Sequence, residues 1–341
     1  MSIRPRSKCI RAKIAALAPY CMATISVLAM CISSQAQQAT PQKIRVLCLA
    51  RPLPVVIAES RGILAKYGIE VEYLVRPSSE SLRNDLASGK GDVAFLAVDN
   101  DVAMVDSAGV DVVIVMGAES SENEIIAQPG TKSIADLGGR TLLVDATNTA
   151  YALELKKVLQ IHGMQPGKDY ELKPVGSTPF RLQAMRENKE YAAAVMNPPF
   201  SMLAKQGGMV SLGSMRTLLG ADLDRGTFAL RAWARANSDL LARYLAAYVE
   251  GQRWLMAPSN RQQVVELVMK ESDLTEPTAR DWYDAMVKNG GYAKDAAFDV
   301  EGFKNTLQLR AEIEAGGNGV APAAEKYYDL SYYRAALSKI K

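Results

Sequence analysis

One order of elements occurs twice in this chain, and the repetition limits what it can fold into. A buried apolar run, Ile44 to Ala50, is broken by Arg51-Pro52-Leu53-Pro54, and a helical pattern runs from Val55 to Tyr67 and stops at Gly68. A short strand (Ile69 to Val75), a helix opened by Ser78 and Ser79, the turn Gly89-Lys90-Gly91 and a strand over Asp92 to Ala97 follow. The second copy comprises a strand from Thr141 to Asp145, a helix from Ala150 to Ile161, Gly163, and a strand from Tyr170 to Val175. A helix after Thr178, a turn at Asn188-Lys189-Glu190 and a strand from Ala192 to Met196 complete it. The pattern predicts an α/β protein of two equivalent lobes, each a mostly parallel sheet flanked by helices.

Right-handed crossovers place ligand loops outside the carboxyl ends of such strands. In the first lobe those ends supply Arg51, Leu53, Asp99, Asn100 and Glu119. In the second they supply Thr147, Asn148, Thr149, Thr178 and Asn197, with Thr227 on a strand that returns the chain to the first lobe. Each candidate has a structural alternative: Asp99 or Asn100 can cap the helix that follows, Asn148 or Thr149 can cap the helix from Ala150, and Asn197-Pro198-Pro199 can be a plain turn. The expected layout is lobe 1 over 43–125 and 229–341, lobe 2 over 126–228, and a passage between them near Glu124 to Gly130. The tail is helical: Ser238 or Asp239 caps a helix whose Leu240, Leu241, Tyr244, Leu245 and Tyr248 share one face. Its aromatics, among them Trp254, Trp282, Tyr327, Tyr328, Tyr332 and Tyr333, are read as packing residues against the first lobe.

Residues 1–36 read as an export signal. Arg4, Arg6, Lys8, Arg11 and Lys13 precede an apolar stretch from Ile14 to Ile32, and Ser34-Gln35-Ala36 suits a signal peptidase. An uncleaved anchor and a lipid on Cys31 are the alternatives; the stretch is diluted by Pro19, Tyr20, Thr24 and Ser26, and Met30 is large for a lipobox. The formal charge of the chain is +3, but those five bases account for it: the remainder carries 35 bases against 37 acids. Such a near-neutral chain lacks the basic footprint of nucleic-acid binding. Cys9, Cys21 and Cys31 lie in the leader, so the mature chain keeps only Cys48, inside the first apolar run, and no internal disulfide is expected.

The helix stop at Gly68-Ile69-Glu70-Val71-Glu72, the Leu86-Ala87-Ser88-Gly89-Lys90-Gly91-Asp92-Val93-Ala94 turn, Ile134-Ala135-Asp136-Leu137-Gly138-Gly139 and Gly163 together resemble one family. They are similar to the type II periplasmic solute-binding proteins of ABC importers, in the branch with receptors for sulfonates, taurine, nitrate and thiamine-precursor pyrimidines, over about residues 43 to 270. The resemblance implies a hinged two-lobed monomer that closes over one small molecule, without cofactor, and hands it to a permease served by a cytoplasmic ATPase. Relatives with anionic ligands carry a Ser/Thr/Gly-rich loop where this chain has Ala146-Thr147-Asn148-Thr149, and Val98-Asp99-Asn100-Asp101 replaces a hydroxyl-rich loop in the first lobe. Inward-facing acids there would favour an amine or a hydrogen-bonding heterocycle.

Catalysis is the weaker reading. The one histidine, His162, lies at a helix end, and one histidine with one mature cysteine cannot build a zinc site of the usual type. HExxH, GxxxxGK[ST] and GxSxG strings are absent from the sequence. Asp99, Asp101, Asp106 and Asp111 alternate with apolar residues and are read as solvated positions, not a calcium cage. A sensor subunit or a lyase- or dehydratase-like enzyme on the same fold are the alternatives to a transport receptor.

Overall fold

The computed structural model describes residues 40–120, 122–220, 224–314 and 319–340, so the leader, its cleavage site and Cys31 lie outside the described residues. Ten strands form two sheets. The first contains β1 (Gln42–Cys48), β2 (Ile69–Val75), β3 (Val93–Ala97), β4 (Val112–Ser120) and β10 (Asp224–Leu230), in the order β2-β1-β3-β10-β4. The second contains β5 (Glu124–Ala127), β6 (Thr141–Val144), β7 (Glu171–Pro174), β8 (Tyr191–Met196) and β9 (Val210–Ser214), in the order β7-β6-β8-β5-β9.

The two orders are equivalent. In each sheet three parallel strands lead, one antiparallel strand is inserted next, and a final strand closes the edge. The inserted strand is the one that has just crossed from the other half of the chain: β5 enters the second sheet and β10 returns to the first. Both crossings differ from the sequence expectation. Glu124 to Ala127, expected as connection, is already a strand paired with β8 and β9, because Ile125, Ile126 and Ala127 find burial there. Residues 224–228, expected in the second lobe, pair with β3 and β4.

Core packing follows the apolar pattern. The helix Ser238–Met256 buries Leu241, Tyr244, Leu245 and Tyr248 against β1 and β3 of the first sheet. Asn237, and neither Ser238 nor Asp239, stands at its cap. Gly251 lets this helix cross the helix Leu53–Ser60 closely, since a Cβ there would sit 2.1 Å from the Pro54 carbonyl oxygen. Cys48 is fully buried in the same core, and burial pushes its thiol up to about 12. The second sheet packs the helices Ala150–Ile161 and Thr178–Glu187 on its two faces.

Two acids expected in solvent are inside. Asp99 and Asp101, in the first turn of the helix Asp99–Ala108, are fully buried, whereas Asp106 and Asp111 are exposed. Asp101 has no hydrogen-bond partner for either carboxylate oxygen, and burial pushes its carboxyl far above the usual range, with only the more distant Arg231 opposing. A carboxyl whose folded pKa is raised binds its proton more tightly than the unfolded chain does, so stability falls as pH rises past the unfolded value. Asp101→Asn removes that penalty. The variant is expected to gain stability relative to the parent at pH 7 and to lose the gain at pH 3.5, measured by urea unfolding at the two pH values.

Candidate functional site

The carboxyl ends of the parallel strands of both sheets converge on one cleft of about 550 Å³. From the first sheet Arg51 and Leu53 follow β1, and Glu119 ends β4; from the second, Thr178 follows β7 and Asn197 follows β8. Five of the eleven residues singled out from the sequence therefore share this wall. Asn100 and Thr149 line an adjoining inner chamber of about 30 Å³, which shares Leu49, Ser177, Thr178 and Arg225 with the larger cleft.

The other four do not line either space. Thr147 and Asn148 are exposed on the loop before the helix Ala150–Ile161, where Asn148 Oδ1 accepts from Arg83 Nη2 at 3.2 Å. Thr149, which does line the inner chamber, holds the N-cap position without a capping bond, its hydroxyl donating instead to the Ala146 carbonyl at 3.0 Å. Thr227 is fully buried within β10, opposite Phe95 and Met116. Asp99 turns away from the cleft: its Oδ1 accepts from Arg310 Nη1 at 2.8 Å, and both side chains are nearly inaccessible, at 1% and 4%. Burial works against the charge on Arg310, but Asp99 and Glu314 more than offset it and hold the guanidinium above its usual range. No inward-facing acid at Asp99 remains to select an amine.

The residue with the most central position was not picked out from the sequence. Arg225 borders both chambers, lies over the Phe95 ring at 5.8 Å, and donates from Nη1 to Glu119 Oε1 at 3.0 Å. Its desolvation would lower its pKa, but the Tyr151 hydroxyl and Glu119 outweigh that and raise it. The rule that places ligand loops at strand carboxyl ends does not reach it. β10 is antiparallel, so its amino end lies at the same edge, with Arg225 opposite Ala97 and Glu119. Thr227, two residues along, is correspondingly too deep in the sheet. The helical tail contributes more of the wall than a packing role predicts: Lys270, Glu271, Trp282 and Tyr292 all face the cleft, and Glu271 pairs with Arg51.

On the second sheet's side the polar groups form a chain. Arg181, 1% exposed, donates from Nη1 to the Gly176 carbonyl at 2.6 Å and from Nη2 to Thr178 Oγ1 at 3.0 Å and the Val195 carbonyl at 2.9 Å. Thr178 then donates to Asn197 Oδ1 at 2.9 Å, and Asn197 Nδ2 donates to the Pro198 carbonyl at 2.9 Å. Thr178 and Asn197 are thus held in place, with most of their bonding capacity used. The lobes touch beside this chain. Ser177 N–H donates to the Pro77 carbonyl at 3.0 Å, and Asp145 accepts the Ser79 N–H at the start of the helix Ser79–Ala87 at 3.1 Å.

His162 ends the helix Ala150–Ile161 away from the cleft, its Nδ1 2.8 Å from the Val158 carbonyl. Among the described residues there is no cluster of His, Cys, Asp and Glu able to hold a metal ion, and no helix is long and apolar enough to cross a membrane.

A family model described as the NMT1-like family matches residues 36–269. A protein of Brachyspira hyodysenteriae, named as a candidate ABC transporter periplasmic binding protein, is 24% identical over 258 residues, 70% of this chain and 73% of that one. The fold is shared with solved structures at lower identity. The periplasmic nitrate-binding protein NrtA of Synechocystis PCC 6803 superposes with a TM-score of 0.71 at 16% identity, covering 88% of this chain and 89% of its own. The periplasmic aliphatic sulphonate binding protein SsuA of Escherichia coli gives 0.66 at 18%, covering 85% and 92%. The fold also occurs in an enzyme, the desulfurization enzyme DSZB, at a TM-score of 0.60 and 12% identity, over 87% of this chain and 99% of that one.

The Asp99–Arg310 pair can be separated experimentally from the cleft. Arg310→Met leaves a buried carboxylate without its partner and is expected to cost about 3–5 kcal/mol, read from the urea midpoint. Adding Asp99→Asn to it is expected to recover part of that loss.

Proposed function

Since this chain belongs to the NMT1-like family, we propose that it is an extracytoplasmic solute receptor: it captures a small organic molecule between its two lobes and delivers it to the permease of an ABC importer, driven by a cytoplasmic ATPase. The observation that carries this reading is the cleft itself, about 550 Å³ and walled by strand ends from both sheets, a size suited to an organic guest. A solute touching Arg225 on one side and the Ser177–Thr178 loop on the other makes contacts that exist only when the lobes are together. It therefore shifts the equilibrium toward closure by its differential affinity for that state.

The two sheets are the jaws: the chain leaves the first after β4, enters the second at β5, and is back in the first at β10. The end of β4 and the start of β10 pair, Ser120 opposite Asp224, and the hinge of the proposed receptor lies next to that pair. The receptor works as a monomer in the periplasm, exported by the leader and cut after Ala36. Binding without chemical conversion is supported by two of the described residues: the cysteine, Cys48, is buried with its thiol pushed up to about 12, and His162 is remote, so neither acts on the solute. The relative named as a periplasmic binding protein and the receptors NrtA and SsuA point the same way.

A thermal-shift screen of organic acids, amines and heterocycles tests the reading. A solute present at a hundred times its Kd is expected to stabilise the protein by about 2.7 kcal/mol and to be recovered chemically unchanged by mass spectrometry after long incubation. Conversion of the solute would instead establish an enzyme. Amino-terminal sequencing of the exported protein is expected to begin at Gln37; a chain that retains residues 1–36 in the membrane would refute the cleavage.

A further inference from the structure

The inner chamber brings two buried, partnerless guanidinium nitrogens to one space. Two guanidinium groups, of Arg181 and Arg225, border it, and the Nε of each is buried without a hydrogen-bond partner. Arg181 is the starker case, because its bonds go only to two carbonyls and a hydroxyl, all neutral. A buried cation without a bonded counter-ion is costly, and its free donor calls for an acceptor carrying negative charge. The acids nearby are committed elsewhere. Asp145 receives the Ser79 N–H at a helix start and lies in the field of Arg83, and Glu119 receives hydrogen bonds from Arg225 and Tyr292.

Size narrows the class of acceptor. About 30 Å³ on this measure admits about two oxygen-sized atoms. The chamber's other orphan is Asn100 Oδ1, an acceptor whose amide nitrogen is already bonded to the Ala97 carbonyl. A third ligand oxygen would meet that lone pair unfavourably. Outward, the space widens into the large cleft, whose Phe95, Phe200, Trp282, Met286 and Tyr292 offer apolar and aromatic surface.

Resting on the receptor reading above, we propose that the solute is a carboxylic acid with an apolar body of aromatic size. Its two carboxylate oxygens are seated in the inner chamber against Arg181 Nε and Arg225 Nε, and its body fills the outer cleft. Arg181 is then a specificity residue twice over: it meets the anion, and through Thr178 and Asn197 it fixes the loop that forms the cleft wall.

Four compounds that share a phenyl body and differ in head group test this by titration calorimetry on the exported protein: phenylpropanoate, phenylpropanamide, phenylethanesulfonate and phenylpropylamine. The carboxylate is expected to bind one per chain and at least about 100-fold tighter than the amide, because a site built around charge-assisted hydrogen bonds rejects a head that leaves its donors unpaired. Arg181→Lys and Arg225→Lys, each checked for an unchanged far-ultraviolet spectrum, are expected to lower carboxylate affinity about 10-fold or more beyond any loss of amide affinity. A purely structural role for either arginine would weaken both compounds alike. Equal binding of amide and carboxylate, or tighter binding of the sulfonate or amine, overturns the assignment of the head group and leaves the receptor intact. Failure of all four overturns the carboxylate class; if, in addition, no solute in the wider thermal screen binds, the receptor reading falls with it.

Discussion

The insertion of one antiparallel strand into each sheet is the constraint on which the rest of the molecule depends. A purely parallel doubly wound lobe would present only strand carboxyl ends at its ligand edge. Here β10 arrives from the second half of the chain and runs the other way, so the same edge also receives an amino end. That single reversal places Arg225 between Ala97 and Glu119, with a carboxylate to hold it and an aromatic ring beneath. β5 does the equivalent in the second sheet. Each sheet is thus completed by a strand that has just crossed over, and the end of β4 lies beside the start of β10, Ser120 opposite Asp224.

Buried charge is handled in two ways, and the contrast separates scaffold from site. Asp99 and Arg310 pair within the first lobe and line neither space of the cleft, as expected of a structural ion pair that would be costly to break, although Asp99 Oδ2 and Arg310 Nε have no partner of their own. Arg181 is at least as buried, yet its bonds go only to neutral acceptors and one nitrogen is left over beside a chamber. Burial pulls its pKa below the ordinary guanidinium range, with Asp145 and Tyr151 opposing only from a distance. Unlike the buried Asp101, Arg181 bears that cost where strand ends of both sheets meet.

Much of this architecture was legible in the sequence. Alternation, helix stops at glycine and the repeated order of elements fixed the two lobes, and strand exits led to Arg51, Leu53, Glu119, Thr178 and Asn197 on the cleft wall. The direction of pairing was not legible. Thr227-Phe228-Ala229-Leu230 looks the same as a parallel or an antiparallel strand, and only the register shows that Arg225, not Thr227, reaches the edge. Nor do Asp99 and Asp101 betray their burial, since an acid among apolar neighbours has the pattern of an exposed helix face until a partner more than two hundred residues away, Arg310, is brought to it. Trp282, Tyr292 and Lys270 were hidden for a related reason: they come from the helical tail, whose periodicity describes its own packing and is silent on what its loops overhang.

The hydrogen-bonded chain from Arg181 through Thr178 to Asn197 bears on how capture and closure are coupled. Each link uses a donor and an acceptor within the second lobe, so the cleft wall at Asn197-Pro198 is set by the same side chain that faces the inner chamber. Across the gap, the neighbouring Ser177 N–H meets the Pro77 carbonyl at the foot of the helix Ser79–Ala87, and Asp145 meets the first N–H of that helix. A group drawn into the inner chamber therefore touches the element that lies one residue from the lobe-to-lobe contact. Thr178, bonded to Arg181 and Asn197, and Ser177, bonded to Pro77, are adjacent in the chain. On the receptor reading, recognition of the head group and alignment of the lobes are coupled through this loop.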